Sequence, residues 1–381
     1  MDFELAEEEL LLKNSLKRFL DEKFSQEYLR ELDEKKEFPH DVWKKMGGLG
    51  YLGLAVEEKY GGAMLPEISR IIMTEEIAKK SITLCWVHMN TAMICAESIG
   101  RFGTDEQKAK ILPSLVKGDL LLCQGMTEPD AGSDMGAIRT TAIKDGNDFI
   151  INGSKMFCSE AHMAEYMILL ARTDLQTPKK YKGMSAILVD LKDEKIVINT
   201  LKQLGAGGSS TNEVGFDDVR VPQSSLLGEE NRGWYVVISN LEMDRLLCGA
   251  MALGLAQSIF DYALKYSKER VQFGRPIGTF QVNQHMFADF AAEIQAASLL
   301  IYYTGWLKSK GMKCAKEASM AKLFATELAK KIAGFGMQIM GGYGYMMEYD
   351  MQRFFRESVI GTIVAGTSQV QRNIIAQNLG L

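Results

Sequence analysis

The amino-acid sequence predicts an α+β fold in which a strand-rich middle part separates two helical parts. In the first third, helix-type spacing puts apolar residues on one face at Leu12, Leu16, Phe19 and Leu20. From about Leu121, short apolar or alternating runs lie between Gly, Asn and Asp turns, which is typical of strands. From about Gly233 long helical patterns return, and no proline follows Pro276. This order indicates segregated layers of helix and sheet.

The changes of pattern divide the chain into three predicted domains. They are an N-terminal helical domain at residues 1–120, a middle β-domain at 121–232 and a C-terminal helical bundle at 233–381. Within the middle domain, strands are predicted for DFIING, YMILLAR, SAILVDL and VGFDDVRVP.

Composition excludes several classes of function. The chain has 381 residues, 46% of them apolar, and a net charge of −5, so it lacks the basic surface of a nucleic-acid or anionic-membrane binder. The longest charge-free stretches, 81–96 and 332–347, are shorter than the ~20 apolar residues of a membrane span. The acidic start MDFELAEEEL has no signal-peptide pattern, so we expect a cytoplasmic protein without membrane or nucleic-acid partners.

The six cysteines show no metal-binding or disulfide pattern. No pair has CxxC spacing, and the chain has four histidines. We therefore expect buried, reduced thiols and no metal site.

The stretch GMTEPDAGSDMGA, Gly125 to Ala137, opens the strand-rich part. Thr127 and Ser133 offer hydroxyl groups, and the Gly132 backbone can approach a ligand closely. The alternative is a turn-rich connection, since these residue types favour turns.

A second stretch, NGSKMFCSEAHMA, places an aromatic ring beside a hydroxyl. Phe157 and Ser159 are two apart and face the same side of a strand, where they would suit a flat ring. An ordinary half-buried strand is the alternative.

Two further stretches favour phosphate binding and close backbone approach. In RVQFGRPIGTFQVNQ, Arg270 and Arg275 flank Phe273, and Gln281 begins the next helix. Arginine can clamp a phosphate, although surface salt bridges would explain the same residues. In QIMGGYGYMMEY, paired glycines follow Gln338, as in either a ligand-binding turn or a helix-breaking loop.

The last stretch, IVAGTSQVQR, is built like a ligand-binding turn that enters a helix. Ala365 and Gly366 are small, and a polar, amide-rich run follows them. None of these side chains can take up a proton during catalysis.

Together and in this order, the stretches resemble the acyl-CoA dehydrogenase family of flavoproteins over nearly the whole chain. The resemblance implies an N-terminal helical domain, a middle β-domain and a C-terminal four-helix bundle, assembled as a homotetramer of paired dimers. It also implies FAD between the β-domain and the bundle, with part of FAD reaching the neighbouring subunit.

The resemblance also assigns roles to matching residues. Thr127 and Ser159 would bond the flavin ring, Phe157 would pack on it, and Ser133 would lie near the cofactor phosphates or CoA. The pyrophosphate and adenine end would be held across the dimer by Arg270, Phe273, Gln281, Gln338 and Gly342. The adenosine half would be bound by Thr367 and Gln369.

The chemistry implied by the resemblance is oxidation of an acyl-CoA thioester. A carboxylate removes the α-proton while the β-hydrogen leaves as hydride to the flavin, which passes electrons to an electron-transferring flavoprotein. In most relatives the base is a Glu directly before Gly-Thr, and here that position is Ala365.

Asp244 is the base that the resemblance favours instead. Isovaleryl-type relatives carry their carboxylate on the first bundle helix before an Arg, and here Asp244 precedes Arg245. An Asp reaches about one methylene less far than a Glu, and a surface carboxylate paired with Arg245 is the alternative. Glu242, two residues earlier, faces another way and by position contacts the CoA pantetheine.

The acyl group would contact the helix that contains CWVHMNTAMICAES. Trp86, Met89, Asn90 and Met93 have the spacing of one helical face, which could also be ordinary core. As a pocket wall, a Trp with flexible Met side chains favours a compact branched or ring-shaped group. This helix has no Arg for a distal carboxylate, and Asn90 and Thr91 would contact a polar or unsaturated ring carbon. The substrate site is completed by Ser133, Glu242, Arg245, Ala365 and Gly366.

The leading hypothesis is an FAD-dependent dehydrogenase of short, branched or alicyclic acyl-CoA. Variants are a cyclohexane- or cyclohexene-carboxyl-CoA dehydrogenase with an unusual elimination, and an enoyl-CoA reductase that runs in reverse. A flavin oxidase or monooxygenase and a non-catalytic FAD- or CoA-binding subunit are the alternatives from other classes.

Overall fold

The computed structural model describes residues 4–179 and 181–381. The first three residues of the predicted N-terminal domain lie outside the described residues. The elements follow the order of helices, strands and helices, so the predicted α+β fold class is confirmed.

Seven α-helices form the N-terminal part among the described residues. Their bounds are α1 Glu7–Lys23, α2 Gln26–Lys35, α3 His40–Gly48, α4 Glu67–Ala78, α5 Ile82–Val87, α6 Ala96–Phe102 and α7 Asp105–Val116. The predicted apolar face of α1 is buried at Leu16, Phe19 and Leu20. At the start of α7, Thr104 and Gln107 each accept a hydrogen bond from the other's backbone N–H, which caps the helix.

The predicted single helical face at Trp86, Met89, Asn90 and Met93 is wrong in its geometry. Between α5 and α6 the backbone is π-helical over His88–Cys95. A π-helix bonds a backbone N–H to the carbonyl oxygen five residues earlier, as the Ala96 N–H bonds to the Thr91 carbonyl at the end of this segment. Met89 and Met93 are buried in the core, whereas Trp86 and Asn90 are half-buried.

The middle part forms one mixed sheet. Its strands are β1 Leu122–Gly125, β2 Thr141–Asp145, β3 Asp148–Ser159, β4 Tyr166–Arg172, β5 Met184–Asp190, β6 Ile196–Thr200, β7 Thr211–Pro222 and β8 Leu226–Leu227. The order is β6-β7-β3-β2-β4-β5-β8, and β1 pairs with β4 in parallel. The four predicted strands are therefore confirmed as parts of β3, β4, β5 and β7.

Strand register follows the burial of one face. Alternate residues of β3, Phe149 and Ile151, are buried and pair with Val221 and Val219 of β7. Between β2 and β3 the chain reverses at Gly146, whose φ of 62° suits a residue without Cβ.

The C-terminal part contains long helices and a short β-hairpin. Its elements are α8 Gly233–Ile238, α9 Leu241–Glu269, β9 Val271–Gln272, β10 Arg275–Pro276, α10 Gln281–Ser309, α11 Ala315–Met340, α12 Met351–Ser358 and α13 Ser368–Asn378. α9 is central and packs against α4, α10 and α11. The stretch Gly233–Glu269 has the length and apolar composition of a membrane span, but 72% of its most apolar window is buried, as in a core helix.

All six cysteines are buried free thiols. No group of three or more His, Cys, Asp or Glu side chains within residues 4–179 and 181–381 is arranged to hold a metal ion. One apolar core joins both helical parts with the edge of the sheet, and a second core lies within the sheet.

Candidate active site

A buried ion pair holds the turn after β1 against β3. Lys155 Nζ donates to Glu128 Oε1 at 2.8 Å and to the Met126 carbonyl oxygen at 3.1 Å. The Glu128 carboxylate also accepts from the backbone N–H groups of Arg139 and Thr140, at 2.6 and 2.9 Å. Burial acts to raise the pKa of Glu128, but Lys155 and these hydrogen bonds outweigh it and lower the pKa. The ionised Glu128 therefore holds the backbone at Arg139 and Thr140, and its partner Lys155 holds the carbonyl of Met126, next to Thr127.

A β-bulge in β3 turns an aromatic ring outward beside Thr127. Between Lys155 and Cys158, β3 has one more residue than β7, so both of these side chains are buried. Phe157 lies in the bulge with φ of 59° and is 64% exposed. The Thr127 carbonyl accepts from the Met156 N–H at 2.8 Å, next to Phe157.

The structure thus brings three of the predicted flavin contacts, Thr127, Phe157 and Ser159, to one end of β3. Ser159 is half-buried at the end of the strand. Ser133 is exposed on the loop that follows the turn after β1.

Asp244 lies in the first turn of α9 and is half-buried. The Cys248 thiol donates to Asp244 Oδ1 at 3.9 Å. Burial raises the pKa of Asp244 to about 6, although the charges of Arg245 and Lys322 act to lower it. Such a carboxylate is ionised at neutral pH but can take up a proton easily, as a general base requires.

Glu242 and Asp244 face different neighbours. Glu242 Oε2 is 3.8 Å from Lys308 Nζ on α10 and 3.7 Å from Cys314 Sγ before α11. Among the described residues Asp244 forms no ion pair. The alternative of a salt-bridged surface carboxylate therefore describes Glu242 better than Asp244.

The Ala365–Gly366 turn is fixed by buried donors. Both residues have positive φ, 51° and 79°. Gln371 Nε2 donates to the carbonyl oxygens of Ala365 and Gly366 at 3.0 and 2.8 Å, and Lys322 Nζ donates to Gly366 at 2.9 Å. Lys322 is fully buried on α11, and its charge acts on the pKa of Asp244. The turn and Asp244 are therefore parts of one site.

Thr367 has a clear structural role at the end of this turn. Its Oγ1 accepts from the Val370 N–H at 3.2 Å and caps α13, which leaves the hydroxyl hydrogen available to a ligand. Gln369 is exposed in the first turn of α13.

The π-helical segment contacts β1 and the end of β3 through polar side chains. Asn90 Nδ2 donates to Glu160 Oε2 at 2.5 Å, and Gln124 Nε2 donates to Asn90 Oδ1 at 2.8 Å. Thr91 differs from its predicted role at the acyl group. Its hydroxyl has no exposed surface and exchanges hydrogen bonds with both backbone groups of Leu122. Thr91 therefore joins the segment to β1.

A second group of predicted residues lies at the other end of α9. A cavity of about 530 Å³ is lined there by Tyr266, Arg270, Gln272, Gly342, Tyr343 and Met346. The Arg270 guanidinium lies over the Tyr343 ring at 5.2 Å, and a Cβ on Gly342 would meet nothing within 4 Å. Gln338 and Gln281 are exposed, and Phe273 is 94% exposed at the hairpin tip. At a rise of 1.5 Å per residue, Arg270 and Asp244 are separated by about 39 Å along α9. One subunit therefore does not bring them to the same point.

Sequence reasoning missed several buried polar residues at this site. Glu128, Lys155, Glu160 and Lys322 were not predicted as site residues, yet each is buried. A signal did exist for Lys322. It lies four residues after Ala318 and three before Ala325, on the buried stripe of α11.

Comparison with known proteins agrees with the three-part fold. Family models for the acyl-CoA dehydrogenase N-terminal, middle and C-terminal domains match residues 6–119, 123–219 and 231–380. An acyl-CoA dehydrogenase of Bacillus subtilis is 38% identical over 91% of this chain and 92% of its own. An acryloyl-CoA reductase (NADH) of Anaerotignum propionicum is 36% identical over 100% of this chain and 96% of its own. A caffeyl-CoA reductase–Etf complex subunit of Acetobacterium woodii is 35% identical over 97% of this chain and 98% of its own.

Solved structures show the same fold. The glutaryl-coenzyme A dehydrogenase–glutaryl-CoA complex superposes with a TM-score of 0.96 at 36% identity, over 100% of this chain and 97% of its own. PigA with FAD and proline superposes with a TM-score of 0.95 at 28% identity, over 100% of both chains.

The residues present fit FAD as the cofactor. The exposed Phe157 ring beside Thr127 and Ser159 suits a flat heterocycle, and Arg270 beside the open Gly342 backbone suits a phosphate-bearing end. With three matching domains and relatives above 30% identity over nearly the whole chain, this protein belongs to the acyl-CoA dehydrogenase family of FAD-dependent oxidoreductases, which act on CH–CH groups.

Proposed function

We propose that this protein dehydrogenates a short, branched or alicyclic acyl-CoA thioester, with Asp244 as the base. The observation that carries the proposal is a half-buried carboxylate without an ion-pair partner among the described residues. It lies beside Lys322, which also holds the Ala365–Gly366 turn where the usual base is missing.

FAD, when bound, supplies the hydride acceptor. The protein's own part begins with Asp244, whose carboxylate takes the α-proton of the thioester at an Oδ atom. Its pKa of about 6 keeps it ionised at neutral pH, and Lys322 and Arg245 limit the rise of this pKa that burial causes. Thr127, Phe157 and Ser159 orient the ring system at the end of β3, which the Lys155–Glu128 pair supports.

The acyl group is small, branched or cyclic in this proposal. The wall at Trp86 and Asn90 combines an aromatic ring with an amide whose orientation Gln124 fixes. The charge-free segment 81–96 contains no arginine for a distal carboxylate, which argues against a glutaryl-type substrate. A cyclohexane- or cyclohexene-carboxyl-CoA is a member of this substrate class.

We further propose a cytoplasmic homotetramer that passes electrons to an electron-transferring flavoprotein. The name of the Acetobacterium woodii relative includes Etf, which supports the partner. Exposed apolar side chains on α10 favour a subunit interface, at Val282, Met286, Leu299, Tyr303 and Trp306. The distance of about 39 Å along α9 between Asp244 and Arg270 supports a cofactor that two subunits share.

An enoyl-CoA reductase is the second candidate. Two of the three relatives described above are named reductases. In that direction Asp244, with its pKa near 6, would be the proton donor. Dye-linked oxidation of an acyl-CoA and dithionite-driven reduction of the matching enoyl-CoA, measured on one preparation, distinguish the two directions.

Anaerobic titration of the purified yellow protein with a panel of acyl-CoA thioesters tests the function. We expect a branched or alicyclic acyl-CoA to bleach the flavin absorbance. In Asp244→Asn the rate of bleaching should fall by about 10²–10⁴, the usual contribution of a general base. Asp261→Asn, an exposed acid on the same helix, is the matched control.

Three outcomes would contradict the proposal. Near-wild-type bleaching in Asp244→Asn would exclude Asp244 as the base. Rapid reoxidation of the reduced flavin by air would favour an oxidase or monooxygenase. Absence of bleaching with every thioester would favour a non-catalytic subunit.

A further inference from the structure

The Glu160 carboxyl group is buried where β3, β1 and the π-helical segment meet. Its exposed fraction is 0%, and it directly follows Ser159 at the end of β3. Its Oε2 accepts from Asn90 Nδ2 at 2.5 Å, and the Asn90 amide is held from the other side by Gln124. Glu160 therefore connects the strand that carries the flavin contacts with the segment that faces the acyl group.

No positive group compensates this carboxyl among the contacts that the structure describes. Its other oxygen, Oε1, is buried without a hydrogen-bond partner in the described residues. An ionised carboxylate that is buried and unpaired is strongly unfavourable, so such a group takes up a proton instead. Burial accordingly raises the pKa of Glu160 to about 8, and Asn90 opposes this only in part.

The titratable groups around Glu160 do not supply a positive charge at neutral pH. Cys95 of the π-helical segment and Cys123 of β1 face it, and burial raises the pKa of both thiols. Burial lowers the pKa of His162, two residues later, so this imidazole is neutral as well. The pKa of Cys95 is also raised by the charges of Glu160 and Asp244, which places the thiol within electrostatic reach of both carboxyls.

The backbone at Glu160 is strained. Its φ is 63°, a left-handed conformation that is unfavourable for a residue with a Cβ. Its carbonyl oxygen accepts from the N–H groups of Met163 and Ala164, so the next turn holds this conformation. Strain, burial and an unpaired oxygen at one residue beside a π-helical segment are typical of functional positions.

We propose that Glu160 is a positioning residue of the acyl site, which as a neutral carboxylic acid holds the Asn90 amide in place and whose ionisation impairs turnover. The proposal rests on the proposed function. When Glu160 is protonated, the carbonyl oxygen of its carboxyl accepts from Asn90, and the site carries one negative charge, on Asp244. When Glu160 loses its proton, a negative charge is buried without a cation beside Asn90, and relieving it requires the carboxylate, and the Asn90 amide that it holds, to move.

Two substitutions and one control test the role in turnover. The pH dependence of kcat/KM is measured with the acyl-CoA that bleaches the flavin. In the wild type it should fall above pH about 8. Glu160→Gln keeps the shape and the acceptor for Asn90 but cannot ionise, so the alkaline fall should disappear. Glu160→Leu removes the acceptor and should lower kcat/KM by about tenfold or more at every pH.

Glu165→Gln is the matched control. Glu165 follows on the same connection and its carboxylate accepts from the Leu121 N–H at 2.7 Å. This variant should keep the alkaline fall. If Glu160→Gln also keeps the fall, or if its activity drops as far as that of Glu160→Leu, the proposal is overturned.

Infrared spectroscopy of the resting holoenzyme gives a second readout that needs no substrate. The wild-type minus Glu160→Gln difference spectrum should contain the carbonyl stretch of a protonated carboxyl group at pH 7 and lose most of it at pH 9. Taking the difference removes the signal of Glu357, a second buried carboxyl whose pKa burial raises to about 7. If acyl-CoA bleaches the flavin but this band is missing, the Glu160 proposal fails and the proposed function stands. If the band is present but no acyl-CoA bleaches the flavin, the proposed function fails and the positioning role fails with it.

Discussion

The Nζ atom of Lys322 lies 2.9 Å from the carbonyl oxygen of Gly366, which joins the middle of α11 to the turn before α13. Gly366 follows Ala365, the position that the family resemblance matches to the usual base. Lys322 has no exposed surface, and its charge acts to lower the pKa of the Asp244 carboxyl. Lys322 thus holds the turn at Ala365 and also influences the pKa of Asp244, which we propose as the base in place of the usual Glu.

Lys322→Met should move the acidic limb of kcat/KM to higher pH. Asp244 must be ionised to accept a proton, so activity falls as the pH drops through its pKa of about 6. Without the Lys322 charge this pKa rises further, because burial is no longer opposed by Lys322. The lost hydrogen bond should also reduce the free energy of unfolding by about 1–3 kcal/mol. Lys331 is also on α11 and forms an exposed ion pair with Glu293 of α10. Lys331→Met should therefore leave both the acidic limb and the unfolding free energy nearly unchanged. An unmoved acidic limb in Lys322→Met would contradict this prediction.

Ala365→Glu in the Asp244→Asn background should restore part of the bleaching rate. The turn already holds Ala365 at positive φ, and its carbonyl is bound by Gln371, so a longer side chain can enter the site without rebuilding the turn. Stopped-flow reduction of the flavin by the best acyl-CoA measures the effect. Ala365→Gln in the same background is the control, since its amide does not accept the proton. Equal rates in the two double variants would mean that the acyl group does not reach this turn.

Lys155→Met should destabilise the cofactor end of the sheet. It leaves the Glu128 carboxylate buried without its cation, which typically costs about 3–5 kcal/mol. We expect a lower melting temperature and loss of FAD during gel filtration, since Lys155 also holds the Met126 carbonyl oxygen next to Thr127.

Adding Glu128→Gln to Lys155→Met should recover part of the loss, because no unpaired charge then stays buried. Lys144→Met, which breaks an exposed pair with Glu230, should change the unfolding free energy by less than about 1 kcal/mol. If the double variant is less stable than Lys155→Met alone, burial of an unpaired charge is not the cause.

Glu160→Gln should change the pH dependence of stability. The pKa of Glu160 is about 8 in the folded protein, above the ordinary value of 4.5, so the folded state binds a proton that the unfolded state releases. Its contribution is therefore complete below pH 4.5 and is lost as the pH rises towards 8. The gain in stability of Glu160→Gln over wild type should grow across this window in urea unfolding. A constant difference between pH 5 and pH 8 would show that Glu160 does not titrate there.

Phe273→Ser should weaken both assembly and FAD retention. Phe273 and Gly274 form the hairpin turn with positive φ, and the Phe273 ring is 94% exposed. An apolar ring exposed to this extent suits contact with another subunit. Light scattering and flavin absorbance after gel filtration measure the two effects. Val271→Ser, an exposed apolar residue on the adjoining strand, is the control. Unchanged mass and flavin content in Phe273→Ser would place the interface elsewhere.

Much of the fold could be read from local pattern. The α1 face and the strands β3, β4, β5 and β7 were predictable because a single buried face repeats at a period of 3.6 or 2 residues. The π-helical segment was not, since its i, i+5 bonding leaves a sequence that also fits an α-helix. The β3 bulge was equally invisible, because one extra residue changes the pairing without changing the composition.

The fold class, the family resemblance and the absence of a carboxylate at Ala365 could be read from the sequence, since they depend on residue types and their order. Only the tertiary structure showed that Lys322 and Gly366 meet across 44 positions, and that Glu160 lies against Asn90 across 70. The physical reason is that burial and charge compensation depend on distances in space. The pKa of a carboxyl group depends on which helices and strands enclose it, and residue spacing along the chain does not contain that information.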